Sequence, residues 1–110
     1  MVDIKFKVLP AGEGKTRWLV TQAFNECSKG NSVYLLTDND EEYQKFMLRY
    51  RTEYSMYCPV KMLSSMNEFS GGVILIDNFV EKIEKGILNV SAVQSVATDV
   101  FATISGRVII

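Results

Sequence analysis

Short apolar stretches that alternate with longer amphipathic segments constrain this sequence most. The stretches lie at 2–9, 32–37, 73–77 and 100–110, the last of them interrupted by Gly106. They are rich in β-branched residues and have the length of strands. The segments between them place apolar residues three and four apart, which is typical of amphipathic helices. Strands that alternate with helices predict an α/β fold of three layers, α/β/α, with a mostly parallel sheet.

The helix boundaries follow from glycines and from polar clusters. The first helix is predicted from Thr16 to about Lys29, because Gly30 then ends it. The second is predicted from about Asp40 to Tyr57, because the preceding TDND cluster offers side-chain oxygens that can cap a helix. Shorter helices are predicted at 78–87 and 88–99, and a brief strand at 60–63.

The second predicted helix carries an unusual row of aromatic residues on one face. With Arg49 and Arg51 interleaved, this row could stack on the bases of single-stranded nucleic acid. Packing of the same face onto the sheet is the simpler interpretation, and it is the one that we expect. The row comprises Tyr43, Phe46, Tyr50, Tyr54 and Tyr57.

The length and composition predict one domain over residues 1–110. Hydrophobic residues make up 47% of the 110 residues and charged residues 23%, enough apolar surface for a core. Twelve basic and thirteen acidic residues give a net charge of -1, and no basic block marks a nucleic-acid or membrane surface. The net charge and the charge distribution therefore give no support for a nucleic-acid partner, although contacts of single basic residues with nucleic acid stay possible.

Targeting signals and metal motifs are not evident in the sequence. The amino terminus has no apolar core of a signal peptide, and no run of 18 apolar residues occurs, so we expect a cytoplasmic protein without a membrane partner. The chain has no histidine, and Cys27 and Cys58 are far apart. A zinc site is therefore excluded, and two free thiols are expected.

The segment LPAGEGKT, Leu9 to Thr16, joins the first strand to the first helix. Its glycines let successive backbone N–H groups turn inward around phosphate oxygens, and the start of the helix adds further unpaired amides. Lys15 would reach the β- and γ-phosphates, and the Thr16 hydroxyl would bind Mg²⁺. The segment predicts a site for a nucleoside triphosphate, with ATP as the first choice; the alternative is a glycine turn that only joins two elements. The predicted nucleotide-binding residues are Pro10, Ala11, Gly12, Glu13, Gly14, Lys15, Thr16 and Arg17.

A phosphate site of this kind needs a second acid at the end of a buried neighbouring strand, to hold the Mg²⁺ shell. The stretch VILID ends in Asp77, which we predict as a metal ligand together with Thr16. The alternative is that Asp77 only caps the helix that follows.

LPAGEGKT resembles the first motif of P-loop NTPases, and it is especially similar to that of superfamily-two helicases and viral DNA-packaging terminases. The full pattern has glycine at the position of Leu9, but leucine or alanine is common there in those families. The order of strands and helices resembles the RecA-like division. The resemblance implies a minimal, single-domain ATPase with a reduced sheet.

Asn78 departs from the pattern of these families. In RecA-like ATPases the aspartate that corresponds to Asp77 is called the Walker B aspartate, and it is usually followed by a glutamate that activates the attacking water. This chain has Asn78 there, and an amide cannot accept a proton from water. Asn78 could position the water, or Glu81 could replace the missing carboxylate. Slow hydrolysis, or binding without hydrolysis, is the third alternative.

The last strand carries Thr103 and Ser105, which resemble the polar sensor residue that contacts the γ-phosphate or the water in this group. The alternative is that both are ordinary strand hydroxyls. Arg107 comes next and could contact phosphate, although a solvated arginine is the simpler interpretation.

Three functions follow from these patterns. The first is an Mg-dependent ATPase, alone, as a homo-oligomer or with a protein partner, and with a link to nucleic-acid processing as one context. The second is a nucleotide-binding module that docks onto a partner without efficient hydrolysis. The third, a small-molecule kinase, needs an acceptor pocket and a lid that 110 residues hardly accommodate. For the ATPase, the predicted catalytic residues are Lys15, Asp77, Asn78 and Ser105, and Thr103 joins the nucleotide site.

Overall fold

The computed structural model describes residues 1–10, 14–54 and 59–106, and these residues form five strands and four α-helices. The strands are β1 (Ile4–Leu9), β2 (Val33–Leu36), β3 (Val60–Leu63), β4 (Val73–Ile76) and β5 (Asp99–Ser105). The helices are α1 (Lys15–Ser28), α2 (Asp40–Tyr54), α3 (Phe79–Glu84) and α4 (Val90–Val96).

All strand pairs in the sheet are parallel, and the strand order is β1-β5-β4-β2-β3. The last strand of the described chain therefore lies between the first strand and β4. In the register of the sheet, Leu9 pairs with Ser105 and Ile76 pairs with Ala102. The residues that follow β1 and β4 consequently flank the carboxyl end of β5.

Helices cover both faces of the sheet, which confirms the predicted three-layer α/β fold. On one face, α1 and α2 pack on the sheet through residues such as Leu19 and Phe46. On the other face, the core includes Val93 of α4. The β4 side chains are fully buried and alternate between the two cores, because both faces of this strand are covered. This burial explains the continuous apolar run VILI.

The aromatic row of α2 packs into the core, as expected. Phe46 and Tyr50 are buried, and Tyr43 and Tyr54 pack against the same core. The Tyr54 ring also stacks on Phe24 of α1, with ring centroids 4.3 Å apart. Tyr57 lies outside the described residues.

The observed boundaries agree closely with the predicted ones. Helix α1 starts one residue earlier than predicted, and the chain reverses at Gly30, where φ is 85°. A short 3-10 helix, Met66–Glu68, was not predicted; the Ser65 side chain accepts a hydrogen bond from the Asn67 N–H at its start. Arg107 lies outside the described residues.

Two other expectations have different outcomes. Cys27 of α1 is disulfide-bonded, so the expectation of a free thiol is wrong at this position. In the described part of the chain, no helix combines the length and the apolar character that crossing a membrane requires.

Candidate functional site at the carboxyl ends of the central strands

Helix α1 begins immediately beyond the carboxyl end of β1. Gly14 is its N-cap residue, with φ 93°, a left-handed conformation that glycine adopts without strain. Gly14 has no side chain that could cap this end of the helix. No side chain among the described residues accepts from the amides of the first turn, as a site for an anion requires. Pro10 precedes the turn, while Ala11, Gly12 and Glu13 lie outside the described residues.

Lys15 extends from α1 across the end of the sheet. Its Nζ donates hydrogen bonds to Asn78 Oδ1, at 2.9 Å, and to Ser105 Oγ. These contacts are possible because β5 lies between β1 and β4, so that Ser105 sits between the ends of both strands. Three of the predicted catalytic residues are thus brought together.

Asp77, directly after β4, is held by hydroxyl groups from two other elements. Thr16 Oγ1 donates to Asp77 Oδ2 at 2.9 Å, and Thr103 Oγ1 donates to Asp77 Oδ1 at 2.6 Å. Asp77 is only 8% exposed, and Thr103 is fully buried. The N-cap residue of α3 is Asn78, and among the described residues neither its side chain nor the Asp77 carboxylate accepts from the first amides of this helix. The alternative that Asp77 merely caps a helix is therefore wrong.

Asn78 has the left-handed backbone conformation, with φ 58° and ψ 68°. It is the one residue besides glycine with a positive φ among those described. Asparagine tolerates this conformation better than most other residues. Its N–H donates to Thr103 Oγ1 at 2.9 Å, which ties the turn to β5. The backbone at this position therefore favours asparagine over the glutamate that the resemblance leads one to expect.

The Thr16 hydroxyl and the Asp77 carboxylate are the oxygen groups that could hold a magnesium ion. Their oxygens are 2.9 Å apart, and oxygen ligands are those that Mg²⁺ prefers. Within the described ranges, no group of three or more His, Cys, Asp or Glu residues could hold a metal by itself. Proteins usually bind Mg²⁺ through one or two carboxylates, with substrate phosphates and water as the remaining ligands.

Glu81, the predicted substitute base, lies in the first turn of α3. It lines a shallow cleft with Asn78 and Ser105. Its carboxylate is about half exposed and pairs with Lys85 at 3.0 Å. The hydrogen bond and charge of Lys85 hold the pKa of the Glu81 carboxyl below its ordinary value. A carboxylate with a lowered pKa is a weaker base, so Glu81 is poorly suited to activate water.

An ion pair on the other side of Asp77, between a buried lysine and a partly buried glutamate, was missed in the sequence. Lys82 of α3 is only 1% exposed and donates to the Asp77 main-chain oxygen at 3.0 Å. It also donates to Glu42 Oε2 at 3.1 Å. Glu42 lines a cleft of about 350 Å³ that also includes Thr16, Asp77 and Lys45. The acidic cluster after β2 was the one sign of this ion pair in the sequence. Its place beside Asp77 depends on the strand order, which the sequence does not reveal.

Two arginines lie beside the first turn of α1. Arg17, a predicted nucleotide-binding residue, has its Nε 3.6 Å from Glu53 Oε1. Arg49 of α2 has its Nη1 3.4 Å from the same oxygen. A small cleft is lined by both arginines together with Gly14, Lys15 and Thr16. The sequence indicated Arg49 only as one of two arginines beside aromatic residues that could stack on nucleic-acid bases.

The chain matches no protein-family model, no curated protein and no solved structure. Its function is therefore inferred from the geometry of this site.

Proposed function

We propose that this chain is a small P-loop ATPase that binds ATP with Mg²⁺ and hydrolyses it. The proposal rests on one observation: Lys15 and Thr16, at the start of α1, meet Asn78, Ser105 and Asp77. A cation, an uncapped helix end, hydroxyl groups and a buried carboxylate thus converge at one edge of the sheet. This combination suits a metal-bound triphosphate.

Lys15 is placed to stabilise the phosphoryl group that is transferred. Its Nζ bonds to two neutral oxygens, those of Asn78 and Ser105. Phosphate oxygens carry more negative charge and accept stronger, charge-assisted hydrogen bonds. A bound triphosphate would therefore replace one or both partners of Lys15, and the ammonium would offset the charge that develops during the transfer.

Thr16 and Asp77 would hold the magnesium ion. When bound, Mg²⁺ neutralises charge on the β- and γ-phosphate oxygens. Both Asp77 oxygens already accept hydrogen bonds from threonine hydroxyls, which fixes the plane of the carboxylate. This preorganisation is the role that we assign to Thr103.

The two hydroxyls of β5 have different roles. Thr103 is buried and uses its hydroxyl for Asp77 and for the Asn78 N–H. Ser105 lies two residues further along β5, on the same face of the sheet, and contacts Lys15. We therefore assign the contact with the γ-phosphate to Ser105, and a positioning role to Thr103.

A nucleotide-binding module without efficient hydrolysis is the second candidate. It is favoured by Asn78, which cannot act as a base, and by the pairing of Glu81 with Lys85. The two candidates share the phosphate site and differ only in turnover.

The proposal is tested by measuring ATP affinity by calorimetry, and steady-state phosphate release, with Mg²⁺ present. Lys15→Ala should weaken ATP binding by about 10- to 100-fold, because it removes a charge-assisted contact of about 1.5–3 kcal/mol. Lys61→Ala, which removes an exposed lysine of β3, is the matched control and should leave affinity within about twofold.

Absence of binding at millimolar ATP, or equal affinity of the wild type and Lys15→Ala, would show that this is not a nucleotide site. Tight binding that depends on Lys15, with no phosphate release, would select the binding module.

A further inference from the structure

An ion pair between the buried Lys82 and the partly buried Glu42 lies beside Asp77, and phosphate binding by Lys15 and Thr16 does not require it. Lys82 Nζ lies 3.0 Å from Glu42 Oε1, and its hydrogen bond is directed at Oε2, at 3.1 Å. Removing the Lys82 charge from water costs several kcal/mol, and such a pair often adds little net stability. The pair therefore calls for an explanation other than stability of the fold.

Glu42 lies on the metal side of the proposed site. It belongs to the first turn of α2, which follows β2, and β2 is the neighbour of β4 in the sheet. Because parallel strands end at the same edge, this turn lies beside Asp77. Glu42 and Asp77 line the same cleft as Thr16, and its volume of about 350 Å³ has room for water molecules and a phosphoryl group.

The two carboxylate oxygens of Glu42 differ in their surroundings. Oε2 accepts the hydrogen bond of Lys82. Oε1 is buried and lies 3.0 Å from the Lys82 ammonium, but no donor among the described residues makes a hydrogen bond to it. The Lys82 charge offsets part of the cost of burying this oxygen, and a water molecule in the cleft could donate the missing hydrogen bond.

Lys82 supplies the positive charge that the acidic side of the cleft needs. It contacts the Glu42 carboxylate and the Asp77 main-chain oxygen together, and thereby fixes their relative position. Two carboxylates that face one cleft repel each other, and the ammonium offsets this repulsion. Glu42 is thus held as an oriented, charge-compensated acceptor.

The other acidic residues at the site lack these features. Glu81 is about half exposed and is held by Lys85, and Glu41 is largely exposed and pairs with Lys45 at 3.3 Å. Asp77 has both oxygens engaged by threonine hydroxyls. Among the described acids at this site, Glu42 alone has a buried carboxylate oxygen that lacks a hydrogen bond.

We infer that Glu42 is the catalytic carboxylate that orients and deprotonates the attacking water, the role that Asn78 cannot perform. The inference rests on the proposed ATP hydrolysis. The water oxygen forms a bond to the γ-phosphorus, and the bond from that phosphorus to the β,γ-bridging oxygen breaks. The electron pair of the broken bond leaves with ADP. One water proton passes to Glu42 Oε1 and then to solvent, so ATP and water give ADP, phosphate and a proton.

Glu42→Gln tests this role, because the amide keeps the shape and cannot accept the proton. We expect kcat to fall at least 100-fold, the lower range of general-base effects, while the Kd for ATP stays within about threefold. Glu41→Gln is the matched control, one residue away in the same cleft, and should keep kcat within about twofold.

A second variant separates a structural effect of the substitution from a catalytic effect. Glu42→Gln leaves the Lys82 charge without its partner, so the thermal midpoint and the ATP affinity are measured alongside kcat. The double variant Glu42→Gln with Lys82→Met removes both charges. It should recover the midpoint of unfolding but not the turnover.

Each outcome decides the inference. Recovery of kcat in the double variant, or wild-type kcat in Glu42→Gln, shows that Glu42 is not the base. ATP binding without any turnover by the wild type overturns the inference while phosphate binding survives. If ATP does not bind at all, the proposed function fails, and the role of Glu42 fails with it.

Discussion

Asn78 combines a backbone requirement with a contact in the site. Its positive φ would strain most side chains, by roughly 1 kcal/mol or more, and asparagine reduces that cost. Its side chain accepts from Lys15, and its N–H donates to Thr103. A glutamate at this position would bear the backbone strain and lose the short amide that reaches Lys15. A carboxylate that acts as the base in hydrolysis is consequently easier to accommodate on another element than at position 78.

Tyr50 illustrates the cost of a polar group without a partner. Its hydroxyl is buried and makes no hydrogen bond to the described residues. Burial raises the pKa of this hydroxyl most, and the neighbouring Tyr54 raises it further. We expect Tyr50→Phe to leave the free energy of unfolding unchanged or to raise it by about 1 kcal/mol, because the buried hydroxyl is removed while the ring stays. Denaturant unfolding measures the difference.

The matched variant for this comparison is Tyr54→Phe, on the same helix. The Tyr54 hydroxyl donates to Thr21 Oγ1 at 3.0 Å, so its removal should lower the free energy of unfolding by about 0.5–1.5 kcal/mol. Equal losses in both variants would mean that the Tyr50 hydroxyl has a partner.

At the level of single residues, the sequence identified those members of the candidate site that have a local pattern. Lys15 and Thr16 follow a glycine turn, and Asp77 ends an apolar run, so each was recognisable from its neighbours in sequence. Glu42 and Lys82 were not recognisable, because they are 40 residues apart and meet only through the strand order. The conformation of Asn78 was likewise hidden, since only the folded chain shows its φ.

Among the elements, α2 is the one whose contribution to the site was underestimated. One face of α2 packs into the core through Phe46 and Tyr50. Another side carries Glu42, Lys45 and Arg49, spaced three and four apart, and these line clefts beside the start of α1. A helix that packs against α1 can therefore deliver side chains to a ligand bound at the α1 terminus.

Arg49 should strengthen ATP binding from α2. Its guanidinium lines the small cleft with Gly14, Lys15 and Thr16, where it can meet a phosphate oxygen. We expect Arg49→Ala to weaken ATP binding by about three- to tenfold, the effect of one exposed charge contact, and the loss should shrink at high salt. Calorimetric titration at two ionic strengths measures it.

Arg51→Ala, on the same helix, provides the control for charge alone. Arg51 is exposed and does not line the described clefts at the start of α1. Equal losses of affinity in both variants would point to a general effect of net charge, and the local role of Arg49 would be rejected.

The elements themselves were predicted well because each carries a local sequence pattern of its own. The four residues of β4 are apolar throughout, and α2 repeats its aromatic residues three and four apart. The short 3-10 helix was missed, since three residues stabilised by the Ser65 side chain leave no periodic pattern.

For the whole molecule, the decisive feature is the order of the strands. A parallel α/β sheet was predictable from alternation, but insertion of β5 between β1 and β4 was not, because that order depends on pairing between distant segments. The same order creates the site. With β5 elsewhere, Ser105 would not reach Lys15, and Thr103 would not hold Asp77.

The strand order also predicts how amide exchange is distributed across the molecule. Strands β4 and β5 pair on both sides and are mostly buried, so their amides should exchange slowest, at rates set by global unfolding. Within the described residues, β1 pairs only with β5, and a parallel pairing on one side engages only alternate N–H groups.

In β1, therefore, alternate amides should exchange far faster than those of β5, and hydrogen–deuterium exchange followed by NMR resolves each position. Phe6 and Val8 of this strand are partly exposed, which agrees with an open edge. If all β1 amides prove as slow as those of β5, a strand beyond the described residues, or one from a second copy, must pair with this edge. The sheet would then extend past β1, close to the start of α1 and Lys15.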